Sequence, residues 1–178
     1  MVLVGKRLVL ALALLVCGGS AIKAGSTTVT DEASLKAAIA SGARGITLAA
    51  DILLSDQITV NESTAGLVID GQSRFKLDGQ GACHVFEVTG GSLAVRNLEV
   101  TGGFSGTSNG GGFLVSGGDV TIDNCGLVGN AAPNGLGGAV CMKGLGTLSM
   151  TNTTVSGNTG NYGGGVSRRA TPSKHRSV

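Results

Sequence analysis

A repeat of 26 to 28 residues constrains this chain more than any other feature of its sequence. Segments starting at Leu93, Val120 and Leu148 read LAVRNLEVTGG, VTIDNCGLVGN and LSMTNTTVSGN, so their starts lie 27 and 28 residues apart. A glycine pair followed by apolar residues recurs after each segment. These repeat glycines are Gly111, Gly112, Gly137, Gly138, Gly163 and Gly164. Such a period predicts a solenoid, because one repeat buries its apolar face only against its neighbours.

The repeats align into columns of apolar residues with the two-residue alternation of β-strands. Stacking successive coils about 4.8 Å apart places each column inside the coil. The predicted inward columns are Leu67, Leu93, Val120 and Leu148; Ile69, Val95, Ile122 and Met150; and Phe86, Phe113 and Val140. An aromatic content of 3% and 32 glycines suit narrow coils with tight turns. The sequence therefore predicts an all-β fold, a single-stranded parallel β-helix of about 4–5 coils of 26–28 residues.

Charged residues alternate in the outward column between the first two inward columns. Asp70, Arg96, Asp123 and Thr151 occupy successive coils, so a positive side chain lies between two negative ones. A slip of one residue would turn these charges into the core, which fixes the register. We interpret this column as an exposed charge ladder that stabilises the stack only modestly.

An asparagine follows the charged column in three coils, at Asn97, Asn124 and Asn152. At an inward bend, each amide would hydrogen-bond the coils above and below and form a ladder. The alternative is an ordinary turn asparagine that faces solvent. Both interpretations give these residues a structural role rather than a catalytic one.

Residues 31–41 are predicted to form an amphipathic helix that caps the first coil. Thr30 or Asp31 suits the N-cap, and Gly42 suits the left-handed stop. The predicted β-helix spans residues 28–166, and residues 167–178 are predicted to form a disordered basic tail. Because the last coil lacks a second cap, we expect either a fragment of a longer protein or an edge that stacks on a partner.

The first residues have the pattern of a secretory signal peptide. A lysine–arginine pair precedes an apolar run over residues 8–17, too short to span a bilayer, and small residues follow. We expect cleavage after Ala21, which assigns residues 1–21 to the signal peptide, or else after Ala24. An uncleaved signal anchor is the alternative. We therefore expect an extracellular or cell-surface chain whose mature part has no transmembrane segment.

The charge balance limits the possible partners, and the cysteines limit the disulfides and metal sites that can form. Residues 22–167 carry 7 basic and 11 acidic residues, a net charge of −4. An acidic body without a basic stripe argues against nucleic acid as a partner. Cys83, Cys125 and Cys141 allow at most one internal disulfide, and their spacing does not decide whether one forms. No spacing typical of metal ligands occurs, so no metal or cofactor is expected.

The repeats also resemble those of a known family. LVGN with GGAV, and VSGN with GGGV one repeat later, resemble the repeats of polymorphic outer-membrane proteins. The capped helix followed by ITLAADILLSDQITV and LVIDGQ resembles right-handed parallel β-helix proteins of the pectin-lyase-like superfamily. The resemblance covers residues 28–166 and implies a right-handed coil at the cell surface or outer membrane. Because this fold serves lyases, hydrolases, epimerases, tailspikes and adhesins, it implies no single activity.

We expect a secreted or cell-surface structural or binding module, part of a longer protein, that contacts polysaccharide or other surface molecules through its side loops. The resemblance implies an alternative, a polysaccharide lyase, epimerase or hydrolase acting on acidic polysaccharide. Asp70 and Asp123, about 10 Å apart, would then hold Ca²⁺ or act as acids, with Arg96 as the base. Asn61 begins a glycosylation sequon in a loop.

Overall fold

A computed structural model describes residues 26–169 and shows a parallel β-solenoid of five turns. Each turn contributes one strand to each of three sheets, and equivalent strands of successive turns pair in parallel. The all-β solenoid predicted from the repeat is confirmed. The predicted signal peptide and residues 170–178 of the predicted tail lie outside the described residues.

The strands are short, as the tight coils require. In chain order they are β1 Thr27–Val29, β2 Gly45–Leu48, β3 Ile52–Leu53, β4 Ile58–Val60, β5 Leu67–Asp70, β6 Lys76–Asp78, β7 Phe86–Val88, β8 Ser92–Arg96, β9 Glu99–Thr101, β10 Phe113–Val115, β11 Asp119–Asp123, β12 Gly126–Val128, β13 Ala131–Leu136, β14 Val140–Met142, β15 Leu148–Thr151, β16 Thr154–Ser156, β17 Thr159–Tyr162 and β18 Val166–Arg168. Helix α1 spans Glu32–Ala40, and a 3₁₀ helix spans Glu62–Thr64.

The strands form three parallel sheets around one apolar interior. The first sheet contains β1, β2, β5, β8, β11 and β15, in that spatial order. The second contains β3, β6, β9, β12 and β16, and the third contains β4, β7, β10, β14 and β18. In the last two turns, β13 and β17 pair between the second and third sheets.

The register follows the apolar columns predicted from the repeat. Leu67 pairs with Leu93, Leu93 with Val120, and Val120 with Leu148 across the first sheet. In the third sheet Phe86 pairs with Phe113, and their rings stack with centroids 4.7 Å apart. Stacked rings of this kind add to the stability that burial alone provides. Each turn thus completes the core of its neighbours.

Helix α1 closes the N-terminal end of the stack, as predicted. Asp31 is the N-cap: its carboxylate accepts from the Ser34 N–H at 2.7 Å, and the Ser34 hydroxyl accepts from the Asp31 N–H at 3.2 Å. Leu35 and Ala38 face the core and are buried. No helix within residues 26–169 is long and apolar enough to cross a membrane.

The C-terminal end of the described solenoid lies in the fifth turn. Strand β18 runs two residues past the predicted boundary at residue 166, because Cys141 pairs with Ser167 and Met142 with Arg168. Backbone pairing depends little on side-chain charge, so an arginine continues the strand where composition indicated a tail. Residues 167 and 168 therefore belong to the solenoid.

Candidate functional site

The charged column of the first sheet forms an exposed ion pair. Asp70, Arg96 and Asp123 lie in register on successive strands, as the column predicted. The Arg96 Nε donates to Asp70 Oδ2 at 2.9 Å. The other Asp70 oxygen accepts from the Gln72 N–H at 2.8 Å and from Asn97 Nδ2 at 3.2 Å. Burial raises the pKa of Asp70, but these hydrogen bonds and the Arg96 charge outweigh it and hold the pKa below its usual range.

This geometry gives the alternative, catalytic interpretation little support. A protonated arginine cannot act as a base, and arginine side chains in proteins do not lose their proton. The Asp70 carboxylate also holds the Arg96 side chain in place. Arg96 also separates Asp70 from Asp123 in the column. Within residues 26–169 no three His, Cys, Asp or Glu side chains cluster in a way that suits a metal ion. The arrangement is that of a surface ion pair.

The predicted asparagine column lies at the corner between the first and second sheets. Asn97, Asn124 and Asn152 have φ of 55°, 52° and 49°, the left-handed region that asparagine tolerates better than most residues. Asn124 Nδ2 donates to Asn97 Oδ1 at 2.8 Å, which makes a ladder. Asn97 is half-buried, and Asn124 and Asn152 are exposed. These residues therefore occupy an outer corner rather than the inward bend expected from the sequence.

A second asparagine pair, which the sequence reasoning missed, lies in the interior. Asn130 is fully buried, and its amide nitrogen donates to Val100 O and Asn158 Oδ1, each at 3.0 Å. Its side-chain oxygen accepts from the Gly103 N–H at 2.9 Å. Asn158 in turn donates to Leu127 O at 2.8 Å. The signal was the final Asn of LVGN and VSGN, which recur one repeat apart.

The repeat glycines allow the connections between the second and third sheets to pack closely. At Gly137, φ is 63°, a conformation that favours glycine. At Gly138, a Cβ atom would lie 2.2 Å from a backbone oxygen of the next turn. These two requirements explain why a glycine pair recurs in the last three turns. The register makes Gly110–Gly111 the equivalent of Gly137–Gly138 and Gly163–Gly164, whereas the predicted Gly112 aligns with Ala139.

Three cysteines and one glycosylation candidate were also predicted from the sequence. Cys83, Cys125 and Cys141 are all free thiols; Cys83 is half-buried, and the other two are buried. Burial raises the pKa of each thiol, most directly by disfavouring the thiolate. Asn61 is exposed and caps the 3₁₀ helix, with its Oδ1 accepting from the Ser63 N–H at 2.9 Å.

A groove of about 440 Å³ lies along the same corner as the Asn97–Asn124 ladder. We call it the corner groove. Its walls are the loop 71–75, the start of the second sheet and the ladder itself. The side chains that carry its chemistry are those of Asp51, Arg74, Phe75, Lys76, Glu99 and Asn124.

The corner groove exists because the loop at one corner of the solenoid is longer than the loops at the equivalent corners of the later turns. Five residues, 71–75, connect β5 to β6, whereas residues 97–98 alone connect β8 to β9. The longer loop lies over the next corner: the Ser73 N–H donates to Asn97 O at 2.7 Å, and Asn124 Nδ2 donates to Ser73 Oγ at 3.3 Å. The loop is therefore anchored across two turns and forms an overhang.

The overhang begins at a tightly packed glycine. A Cβ atom on Gly71 would lie 2.2 Å from the Cβ of Leu98. Only glycine lets the loop leave the first sheet so close to the next turn. Gly126 has a complementary effect at the other end of the groove, because it pairs with Glu99 and leaves the space beside that carboxylate without a side chain.

The corner groove offers polar groups of both signs beside one aromatic ring. The Arg74 guanidinium lies 5.3 Å from the centre of the half-buried Phe75 ring. Asp51 accepts from the Lys76 N–H at 3.1 Å, and the Lys76 ammonium lies 3.3 Å from Asp78. The exposed Glu99 carboxylate completes a lining with two positive and two negative side chains. This lining suits a polar molecule without a strong net charge.

Comparison of the chain with known protein families, curated proteins and solved structures finds no match.

Proposed function

We propose that this protein is an exported or cell-surface β-helix module that binds a glycan in the corner groove. On the resemblance of its repeats, we assign it to the right-handed β-helices of the pectin-lyase-like superfamily, with repeats like those of polymorphic outer-membrane proteins. The observation that supports binding is the overhang of residues 71–75, which turns a flat corner into a polar concavity beside an aromatic ring.

The chemistry of the corner groove matches that of a neutral saccharide. A sugar ring has an apolar C–H face that packs against apolar surface, and the part of the Phe75 ring left open beside the Arg74 guanidinium supplies such a surface. Its hydroxyls both donate and accept, so they pair with the Glu99 carboxylate and the Arg74 guanidinium in one site. The volume of about 440 Å³ lies within the range of about 300–1,000 Å³ typical of small-molecule sites.

Binding is tested with a panel of neutral oligosaccharides, screened by ligand-observed NMR and measured by calorimetry. We expect Arg74→Gln and Glu99→Gln each to weaken the binding of any hit by about tenfold, the value of one charge-assisted hydrogen bond. Lys143→Gln, which removes an exposed charge remote from the corner groove, is the matched control and should bind as the wild type does. Equal affinity in all four proteins would refute the assignment.

A loop exchange tests the overhang itself. Replacing residues 71–75 with the Asn-Leu pair of the next corner should abolish binding while leaving the β-sheet circular dichroism unchanged. Uronate polymers, with and without Ca²⁺, test the enzymatic alternative. New unsaturated chain ends that disappear in Arg96→Ala would overturn the proposal in favour of a lyase.

A further inference from the structure

The connection between the third and first sheets departs from the repeat at residues 143–147. The two preceding connections at this corner, residues 89–91 and 116–118, have three residues each, whereas this one has five. Within it, the Leu145 side chain is 78% exposed, more than any other large apolar side chain within residues 26–169. We call residues 143–147 the Leu145 loop. The extra residues thus place an apolar side chain in solvent.

The Leu145 loop is packed on the preceding connection of the same corner. A Cβ atom on Gly144 or on Gly146 would clash with backbone oxygens of residues 116–118, so only glycine lets the loop lie this close. Arg168 of β18 holds the loop from the other side, because its Nη2 donates to Gly146 O at 3.3 Å. Leu145 is therefore presented from a fixed base.

Three positively charged side chains accompany this loop. Lys143 begins it, and Arg168 contacts it as described. Arg169 occupies the position of Lys143 one turn later, because Met142 pairs with Arg168 in the third sheet. All three side chains are exposed, and none forms an ion pair within residues 26–169. Their charges are available to an external partner.

The charges of the chain are segregated along the solenoid. All 11 acidic residues lie between Asp31 and Asp123, where only five basic residues accompany them. Residues 124–178 contain five basic residues and no acidic one. Residues 170–178 contribute Lys174 and Arg176 to that count, so this segment supplies no acidic side chain to neutralise the three exposed cations.

Acidic side chains confine the positive surface to the last two turns at this corner. Glu62 lies at the same corner in the first turn. Asp119 lies beside the end of the Leu145 loop, where its Oδ1 accepts from the Thr147 N–H at 2.9 Å and from the Thr147 hydroxyl at 2.6 Å. Because three cations outnumber this single carboxylate, the surface around the loop is positive.

We propose that the Leu145 loop docks on an anionic lipid surface. Leu145 would enter the boundary between headgroups and acyl chains, while Lys143, Arg168 and Arg169 contact the headgroup phosphates. The proposal does not depend on glycan binding, because the corner groove lies between the first and second sheets and the loop lies between the third and first. A docked chain keeps the corner groove accessible.

The single apolar tip favours a bilayer over other anionic partners. A soluble polyanion would pair with the cations but offers no apolar phase for Leu145, whereas a bilayer has both beneath one surface. A stable protein interface has an apolar centre built from several side chains. The Leu145 loop has one such side chain, which suits a shallow insertion between lipids.

Binding to vesicles tests this proposal. The full chain is expressed for export, and the exported product should bind vesicles of phosphatidylcholine with about one third phosphatidylserine at least about tenfold more tightly than vesicles of phosphatidylcholine alone. Lys143→Gln and Arg168→Gln should each weaken binding to the anionic vesicles about fivefold, the effect of one charge near such a surface. Leu145→Ser should weaken it about tenfold, because the apolar insertion is lost.

Two matched variants separate this contact from a general attraction. Arg74→Gln removes an exposed charge at the corner groove, and Leu53→Ser replaces an exposed leucine of the first turn. Both should bind anionic vesicles as the wild type does. With an oligosaccharide that binds the corner groove the pattern reverses, since Arg74→Gln weakens binding and Lys143→Gln does not. Failure of one assignment is therefore distinguishable from failure of the other.

A measurement on the wild type keeps the test independent of variant folding. Lipids with a nitroxide near the headgroup should broaden the NMR signals of the Leu145 methyl groups and leave those of Leu53 unchanged. Equal broadening at both leucines, equal binding to both kinds of vesicle, or binding to neither would overturn the proposal. Heparin binding that depends on Lys143, together with vesicle binding that is unchanged in Leu145→Ser, would assign the cations to a soluble polyanion instead.

Discussion

Glu32 connects the capping helix to the first turn of the solenoid, and its replacement by glutamine should release that connection. One carboxylate oxygen accepts from the Ser55 N–H at 3.0 Å and from the Ser55 hydroxyl at 2.7 Å. The other lies 2.8 Å from the Lys36 ammonium and accepts from the Asp56 N–H at 3.2 Å. Glutamine keeps the size of the side chain but has one acceptor oxygen in place of two and no charge.

The pKa of Glu32 sets the size of the effect. The Lys36 ammonium, followed by the Ser55 N–H, lowers the pKa of this carboxyl from 4.5 to about 2. A shift of that size corresponds to at most about 3.4 kcal/mol of stability. Water around the partly exposed carboxylate screens these interactions, which reduces our expectation to about 2 kcal/mol. Because the folded pKa is the lower one, this stability is present above pH 4.5 and disappears as the pH falls towards about 2.

Urea unfolding of the wild type and Glu32→Gln at pH 7 and pH 2 measures the difference. We expect Glu32→Gln to be less stable by about 2 kcal/mol at pH 7 and by less than about 0.5 kcal/mol at pH 2. Other carboxyls also titrate, but they do so in both proteins and cancel in the difference. The control is Glu99→Gln, in which the replaced side chain is exposed. Its free energy of unfolding should match that of the wild type at both pH values. An equal difference between wild type and Glu32→Gln at pH 7 and pH 2 would refute the electrostatic explanation.

Three further substitutions test the repeat. Asn130→Ala leaves several buried hydrogen-bonding groups of neighbouring turns without partners and should cost about 3 kcal/mol in urea unfolding. Gly138→Ala forces a Cβ atom to within 2.2 Å of a backbone oxygen and should lower the melting temperature clearly, whereas Gly126→Ala, with its nearest contact at 3.5 Å, should not. Arg96→Gln breaks only an exposed ion pair, so unfolding should change by less than about 1 kcal/mol while the pKa of Asp70, followed by NMR, rises. A large loss of stability in Arg96→Gln would contradict the assignment of this column to the surface.

The apolar columns were predictable because they depend only on spacing. A period close to 27 residues, with alternation inside each strand, allows one register in which Leu93, Val120 and Leu148 meet, and the structure has that register. The cap was predictable for a similar reason, since an Asp before an amphipathic segment is a local signal. Local signals and fixed periods can both be identified from the sequence without knowledge of the structure.

The direction of the asparagine side chains was not predictable in the same way. Whether a corner residue points into the core or out of it depends on the local backbone conformation, which spacing does not determine. Asn124 has a positive φ of 52° and its side chain is exposed. Asn130 does not have a positive φ, and it is fully buried. Both recur once per repeat, so periodicity alone gave no reason to prefer one as the interior ladder.

The corner groove is a departure from the repeat, and such departures are where a solenoid acquires individual sites. Identical turns produce identical surfaces, so a concavity needs an insertion or a missing side chain. Here the chain has three more residues between β5 and β6 than between β8 and β9, and it has Gly126 where the turn above has Glu99. The spacing was visible in the sequence, but the overhang depends on the hydrogen bond from the Ser73 N–H to Asn97 O. The regular columns hold the fold, and the irregular positions form the groove to which we assign binding.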